Sequence, residues 1–194
     1  MTRPIGSFGR LRPVRHSLIV LLALFAACAD GDAGGSEVDA GPIEGLVMER
    51  VGDYTHVLAD LDYPNPAPSG GDHPPAPYWL TCGVYDGSVP DELAVHSLEH
   101  GAVWIALGPD STADDRSAAE DLAEANKVIV SDVPDLPNPV EMVAWGVRLP
   151  LDSADDERAV AFVDEFVDAP TAPEAGSSCT SVGEPPTPPI LPLS

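Results

Sequence analysis

Within the run Val95-His96-Ser97-Leu98-Glu99-His100-Gly101, two imidazoles and a carboxylate stand close enough to act on one ion or one proton. Outside the N-terminal leader the chain has four histidines, His56, His73, His96 and His100. Imidazoles at i and i+4 sit one turn apart on a helix, so His96 and His100 can reach a single ion from one face. Zinc or copper then needs one or two further N, O or S donors, and His73, His56 and Glu99 are the candidates. This metal site of three or four histidines has a structural competitor, in which His96 and His100 donate to backbone carbonyls to hold a loop and Glu99 fixes a tautomer. The same residues spell His-x-x-Glu-His, the inverted zinc-protease pattern, where both histidines bind zinc and Glu99 activates water. Gly101 closes the helix directly after His100 and no downstream acidic ligand stands out, which makes a hydrolase the minority reading.

The positioning elements follow from local signals. Pro90 and Gly101 bracket a short helix over 91–100, with Leu93, Ala94, Val95 and Leu98 on one face and Glu92, His96, Glu99 and His100 on the other. Residues 62–79 carry too many prolines for a helix or an inner strand; this long loop, turning at Gly70-Gly71, delivers His73. First β structure is expected over 46–61, broken at Gly52-Asp53 and carrying His56. Ala102 to Leu107 reads as a buried strand, Val128 to Val130 as a short one, and Val140 to Leu151, including Trp145-Gly146, as another. Two longer helices are expected. One runs over 111–126, capped by Ser111 or Thr112, with Ala118, Leu122 and Ala125 inward. The other is capped by Ser153 and has a stripe of Ala159, Val160, Phe162, Val163, Phe166 and Val167. Strands and helices without strict alternation indicate one α+β domain over 46–180, a small mixed sheet with helices on one side, followed by a Pro-rich tail over 181–194. Trp79, Trp104 and Trp145 read as packing residues, and the acidic pairs of the helices as solvated faces.

Residues 1–27 have the form of a secretory signal: four arginines, an apolar run over 18–27 too short to span a bilayer, then Cys28. Leu24-Phe25-Ala26-Ala27-Cys28 resembles a bacterial lipobox, which would lipidate Cys28 and make residues 28–45 a flexible tether to the outer or inner membrane; the alternative is an ordinary cut near Ala27. Removing the leader takes four of nine basic residues and no acidic ones, moving the formal charge from −23 to −27. Such a surface repels nucleic acid and anionic headgroups. Cys82 and Cys179 remain, and an even pair in an oxidising compartment reads most simply as one disulfide; metal ligation by the pair is weaker, as neither lies in a Cys-x-x-Cys or beside a histidine.

Several segments together resemble a bacterial exported, often membrane-anchored domain of unknown function. They are Pro68-Ser69-Gly70-Gly71-Asp72-His73, Cys82-Gly83-Val84-Tyr85-Asp86, the Val95–Gly101 heptapeptide with Ala102-Val103-Trp104-Ile105, Ala144-Trp145-Gly146, and Ala172-Pro173-Glu174 before Cys179. Where that family usually has a tyrosine after the strand following the heptapeptide, this chain has Leu107-Gly108. The resemblance implies export, membrane tethering and paired cysteines, and implies no reaction. Two classes of function stand side by side: a zinc- or copper-handling lipoprotein, and a non-catalytic envelope module that binds a partner protein.

Overall fold

The computed structural model describes residues 43–124 and 126–181, all within one compact unit. The leader 1–27, Cys28, most of the tether, Ala125 and residues 182–194 lie outside the described residues. The elements run β1 (Val47–Met48), β2 (Gly83–Val84), α1 (Asp91–Glu99), β3 (Val103–Leu107), α2 (Ala113–Ala123), β4 (Val128–Asp132), β5 (Val140–Ala144), β6 (Val147–Leu151) and α3 (Glu157–Phe166). They form an α+β domain on one six-stranded mixed sheet of order β1-β6-β5-β3-β4-β2. Strands β2, β4 and β3 are parallel neighbours, while β3–β5, β5–β6 and β6–β1 are antiparallel.

Strand β3 is buried along its whole length, which is why it reads as an unbroken apolar run. Its alternate residues serve different cores. Val103, Ile105 and Leu107 meet Ala119 of α2 and Ala159, Phe162, Val163 and Phe166 of α3. Trp104 and Ala106 meet Leu93, Ala94, Val95 and Leu98 of α1, with Leu80 and Trp145. Helices therefore cover both faces, not the single face expected: α2 and α3 take one and α1 the other.

Four further expectations are corrected. Val140 to Leu151 is a hairpin, not one strand; Gly146, at φ +70°, turns the chain between β5 and β6. Ser153 does not cap α3. Asp156 does, accepting from the Arg158 amide at 2.9 Å, because the Ser153 hydroxyl is donated to Asp115 Oδ1 at 2.7 Å. Val160, placed in the buried stripe, is half exposed. Residues 46–61 contain only the two-residue β1, and His56 lies beyond it in an isolated parallel bridge with His73. Helix α2 begins at a capping box: Thr112 Oγ1 accepts from the Asp115 amide (3.1 Å) while Asp115 Oδ2 accepts from the Thr112 amide (2.8 Å). Cys82 and Cys179 form a disulfide, as expected, across a sequence separation of 97. Among the described residues no helix is long and apolar enough to cross a membrane.

Candidate metal centre

Helix α1 presents its apolar face to the sheet, yet its other face is no more exposed: His96 and Glu99 are 2% and 1% accessible. What covers that face is loop. Ser97 accepts from the Leu80 amide at 3.0 Å and donates back toward the Leu80 carbonyl, pinning the end of the Pro-rich loop along the helix. The pin brings the Tyr78 carbonyl to 2.8 Å from His96 Nδ1. Further back, the loop is held at Ser69, whose hydroxyl donates to Glu49 (2.6 Å) and whose carbonyl accepts from the Gly146 amide (2.8 Å). Gly70 must be glycine: its φ is +155° and a Cβ would meet Val51 at 2.7 Å. Past this turn, His73 enters the interior fully buried, its Nδ1 2.8 Å from the Gly71 carbonyl. The backbone bridge Val57 N–H to His73 O (2.8 Å) then sets His56 beside it, with ring centroids 4.7 Å apart.

Three imidazoles thus converge on one carboxylate oxygen. Glu99 Oε2 lies 3.0 Å from His73 Nε2, 3.5 Å from His56 Nε2 and 3.9 Å from His96 Nε2. The ligand atoms of His56, His73, His96 and Glu99 all fall within 4.8 Å of one another. A carbonyl can only accept, so the Nδ1 of His73 and of His96 each carries a proton, and Nε2 is the nitrogen turned to the shared point. Supporting a ligating imidazole from its far nitrogen is how metal-binding histidines are oriented. Burial, reinforced by the neighbouring His100 and His73 rings, pushes the His96 pKa down to about 4, so it is neutral at neutral pH. For Glu99 burial alone would raise the pKa; the Tyr54 hydroxyl and the His73 and His56 rings outweigh it and hold the carboxyl below its ordinary value. Tyr54, stacked on His73 at 5.5 Å, is itself pushed up to about 12 by burial and by Glu99, so it remains a donor.

His100, expected to share an ion with His96, stands apart from this set. Its Nδ1 is 2.9 Å from the Ser178 carbonyl and its Nε2 is 3.6 Å from Glu174 Oε2. Glu99, His100 and Glu174 form a separate group with ligand atoms within 4.8 Å of one another. The inverted-protease pattern requires both histidines on one ion with a free glutamate, whereas here Glu99 lies among the donors. Glu92, assigned to the same helix face, instead accepts from the Leu61 amide at 3.2 Å. The cysteines, joined to each other, belong to neither group. Sequence reasoning assigned no role to Tyr54 or to Glu174, although Glu174 lay within a segment that carried the family resemblance. The site opens on a cleft of about 360 Å³ lined by His56, Pro75, Trp79, His96, His100 and Glu174 among others. His56, with its side chain 43% exposed, is the member of the first group that reaches solvent.

No curated protein and no solved structure matches the chain. A family model described as "Protein of unknown function (DUF3105)" matches residues 56–181, a span that begins at His56 and includes every residue of both groups. That span is more than half of the 194 residues, and the chain belongs to this family of unknown function.

Proposed function

We propose that this protein is an exported, lipid-anchored metal-binding domain that holds zinc or copper through His56, His73, His96 and Glu99. One observation carries the reading: three imidazole Nε2 atoms and a buried carboxylate oxygen lie within 4.8 Å of one another, approaching from three separate segments of the chain. Three nitrogens and one oxygen are a donor set that suits zinc, and imidazole also suits copper. The alternative, histidines that staple loops while Glu99 fixes a tautomer, accounts for the Nδ1 bonds and for the His73 contact with Glu99, but it does not need three imidazoles around one carboxylate oxygen. Export and lipidation rest on the leader and Cys28; a net charge near −27 in the exported part would draw cations toward the domain.

The test is elemental analysis of the full chain, purified without an affinity tag, followed by Zn²⁺ and Cu²⁺ titration. Wild type should retain or rebind stoichiometric metal, and His96→Ala should lose it while keeping its circular dichroism spectrum. Wild type that neither retains nor rebinds metal would overturn the proposal and leave a loop-stapled envelope binding module.

A further inference from the structure

We infer that the domain holds two cations, with Glu99 bridging them. The inference rests on the metal reading above and adds a second site made of Glu99, His100 and Glu174. His100 is built like the histidines of the first group. It is 5% exposed, its Nδ1 proton goes to a backbone carbonyl (Ser178, 2.9 Å), and its Nε2 faces a carboxylate oxygen 3.6 Å away. The first group does not use it, although its ring centroid is 4.7 Å from that of His96. Glu99 belongs to both groups, and a carboxylate has two oxygens with about four lone-pair sites, enough for two ions. Paired catalytic or storage ions usually lie about 3.5–4 Å apart, a spacing one shared carboxylate can span.

The polypeptide fixes this second group with effort that a fortuitous contact would not need. The Glu174 amide donates to the Glu99 carbonyl at 3.0 Å, locking the two ligand-bearing residues together through the backbone. Lys127 Nζ donates to the carbonyls of His100 and Ser177, both at 2.6 Å, and to Asp168 Oδ1 at 2.7 Å, tying the Ser177 segment to the end of α1. The two sites differ in character. The first has four protein donors, three of them buried; the second has three, one of them Glu174 with its side chain 51% exposed at the cleft. The second ion therefore keeps a coordination position toward the cleft and exchanges faster than the first.

The experiment loads the untagged full chain with Zn²⁺ alone and counts bound ions by elemental analysis and titration calorimetry. It compares wild type, Glu174→Gln and His100→Ala. Wild type should bind two equivalents, the first tighter. Each variant should keep the first, with the second weakened by at least the order of 10–100-fold that loss of a supporting partner costs. Glu174→Gln alters a half-exposed side chain, so its fold should be intact by circular dichroism. Electron paramagnetic resonance with Cu²⁺ gives an independent readout: a second equivalent should couple to the first and diminish the isolated-ion signal. One equivalent in wild type, unchanged in both variants, overturns the second site and leaves the first standing. Two equivalents that remain magnetically independent overturn the bridge. No bound metal at all overturns both proposals.

Discussion

Glu99 is a carboxylate with almost no solvent and three imidazoles within 4 Å, and it holds its ionised form more firmly than a free glutamate. An isolated buried carboxylate would shift the other way. Glu99→Gln should therefore separate charge from shape. The amide matches the carboxylate in size but carries no charge for the His73 and His56 rings that favour the ionised form, so metal-free protein should melt lower while keeping its circular dichroism spectrum. Zn²⁺ affinity, read by calorimetric titration, should fall by no less than the order of 10–100-fold expected for a lost supporting partner. An unchanged affinity would remove Glu99 from the ligand set. At this scale the sequence showed that His96, His73, His56 and Glu99 deserved to be taken together, because residue type alone marks them. It could not show that His96 and His100 would serve different groups. Rings one turn apart on a helix share a face, but which loop carbonyl each Nδ1 meets is decided by Tyr78 and Ser178, from segments far apart in the sequence. Tyr54 and Glu174 had no local mark, since a lone phenol and one acid among 32 look like any others.

One side chain at the start of α2 ties that helix to the turn that precedes α3. Asp115 is 4% exposed and accepts four bonds: from the Thr112 amide and hydroxyl at 2.8 and 2.7 Å, and from the Ser153 hydroxyl and Ala154 amide at 2.7 and 2.9 Å. Burial works against its charge, yet these bonds prevail and bring its pKa down to about 2. The unfolded chain titrates this carboxyl near 3.9, so its stabilisation is complete above about pH 4 and is lost as pH falls toward 2. The shift corresponds to roughly 2–3 kcal/mol. Asp115→Asn should lower stability at pH 7 by about that amount, because the amide nitrogen cannot accept. The difference from wild type should narrow as the solution is acidified from pH 4 to 2, as denaturant titration at several pH values would show. A gap that stays constant over that range would contradict this account. Thr112 was legible as a cap because a capping box is local. Ser153 was misread for the opposite reason, as its hydroxyl serves a partner on another helix. The β5–β6 hairpin was missed because inward-facing apolar residues on both strands hide the Trp145-Gly146 turn.

At the scale of the whole domain, one constraint is where residues 177–179 return to α1 and its preceding loop. The Cys82–Cys179 disulfide, reinforced by the Cys82 amide donating to the Cys179 carbonyl at 2.9 Å, fixes the Ser177–Cys179 segment beside the loop that precedes α1. Gly101 permits the close approach of Asp168, just past α3, to the end of α1: it has φ +94°, and a Cβ there would come within 2.7 Å of Asp168 Oδ1. A loop of this length closed by a disulfide is worth about 4–5 kcal/mol in the chain-entropy model. Reduction should therefore lower thermal stability, and metal release should be uneven. The ion using Glu174 and the Ser178-supported His100 should leave at milder chelator concentrations than the ion held by His56, His73 and His96. Simultaneous loss of both on reduction would contradict that order. The fold class and the cysteine pairing were readable from composition and spacing. The placement of α1 opposite α2 and α3 was not, since it depends on β3 burying both of its faces. The imidazoles of His73, His96 and His100 are also two-ended struts, each grasping a backbone carbonyl with one nitrogen while the other faces inward. Capture of an ion at the inner ends should stiffen the outer ones further, joining three separate stretches around the cleft. Slower amide exchange at Gly71–Trp79 and Ser177–Cys179 on loading would reveal that stiffening, and with it a way for occupancy to be felt on the surface.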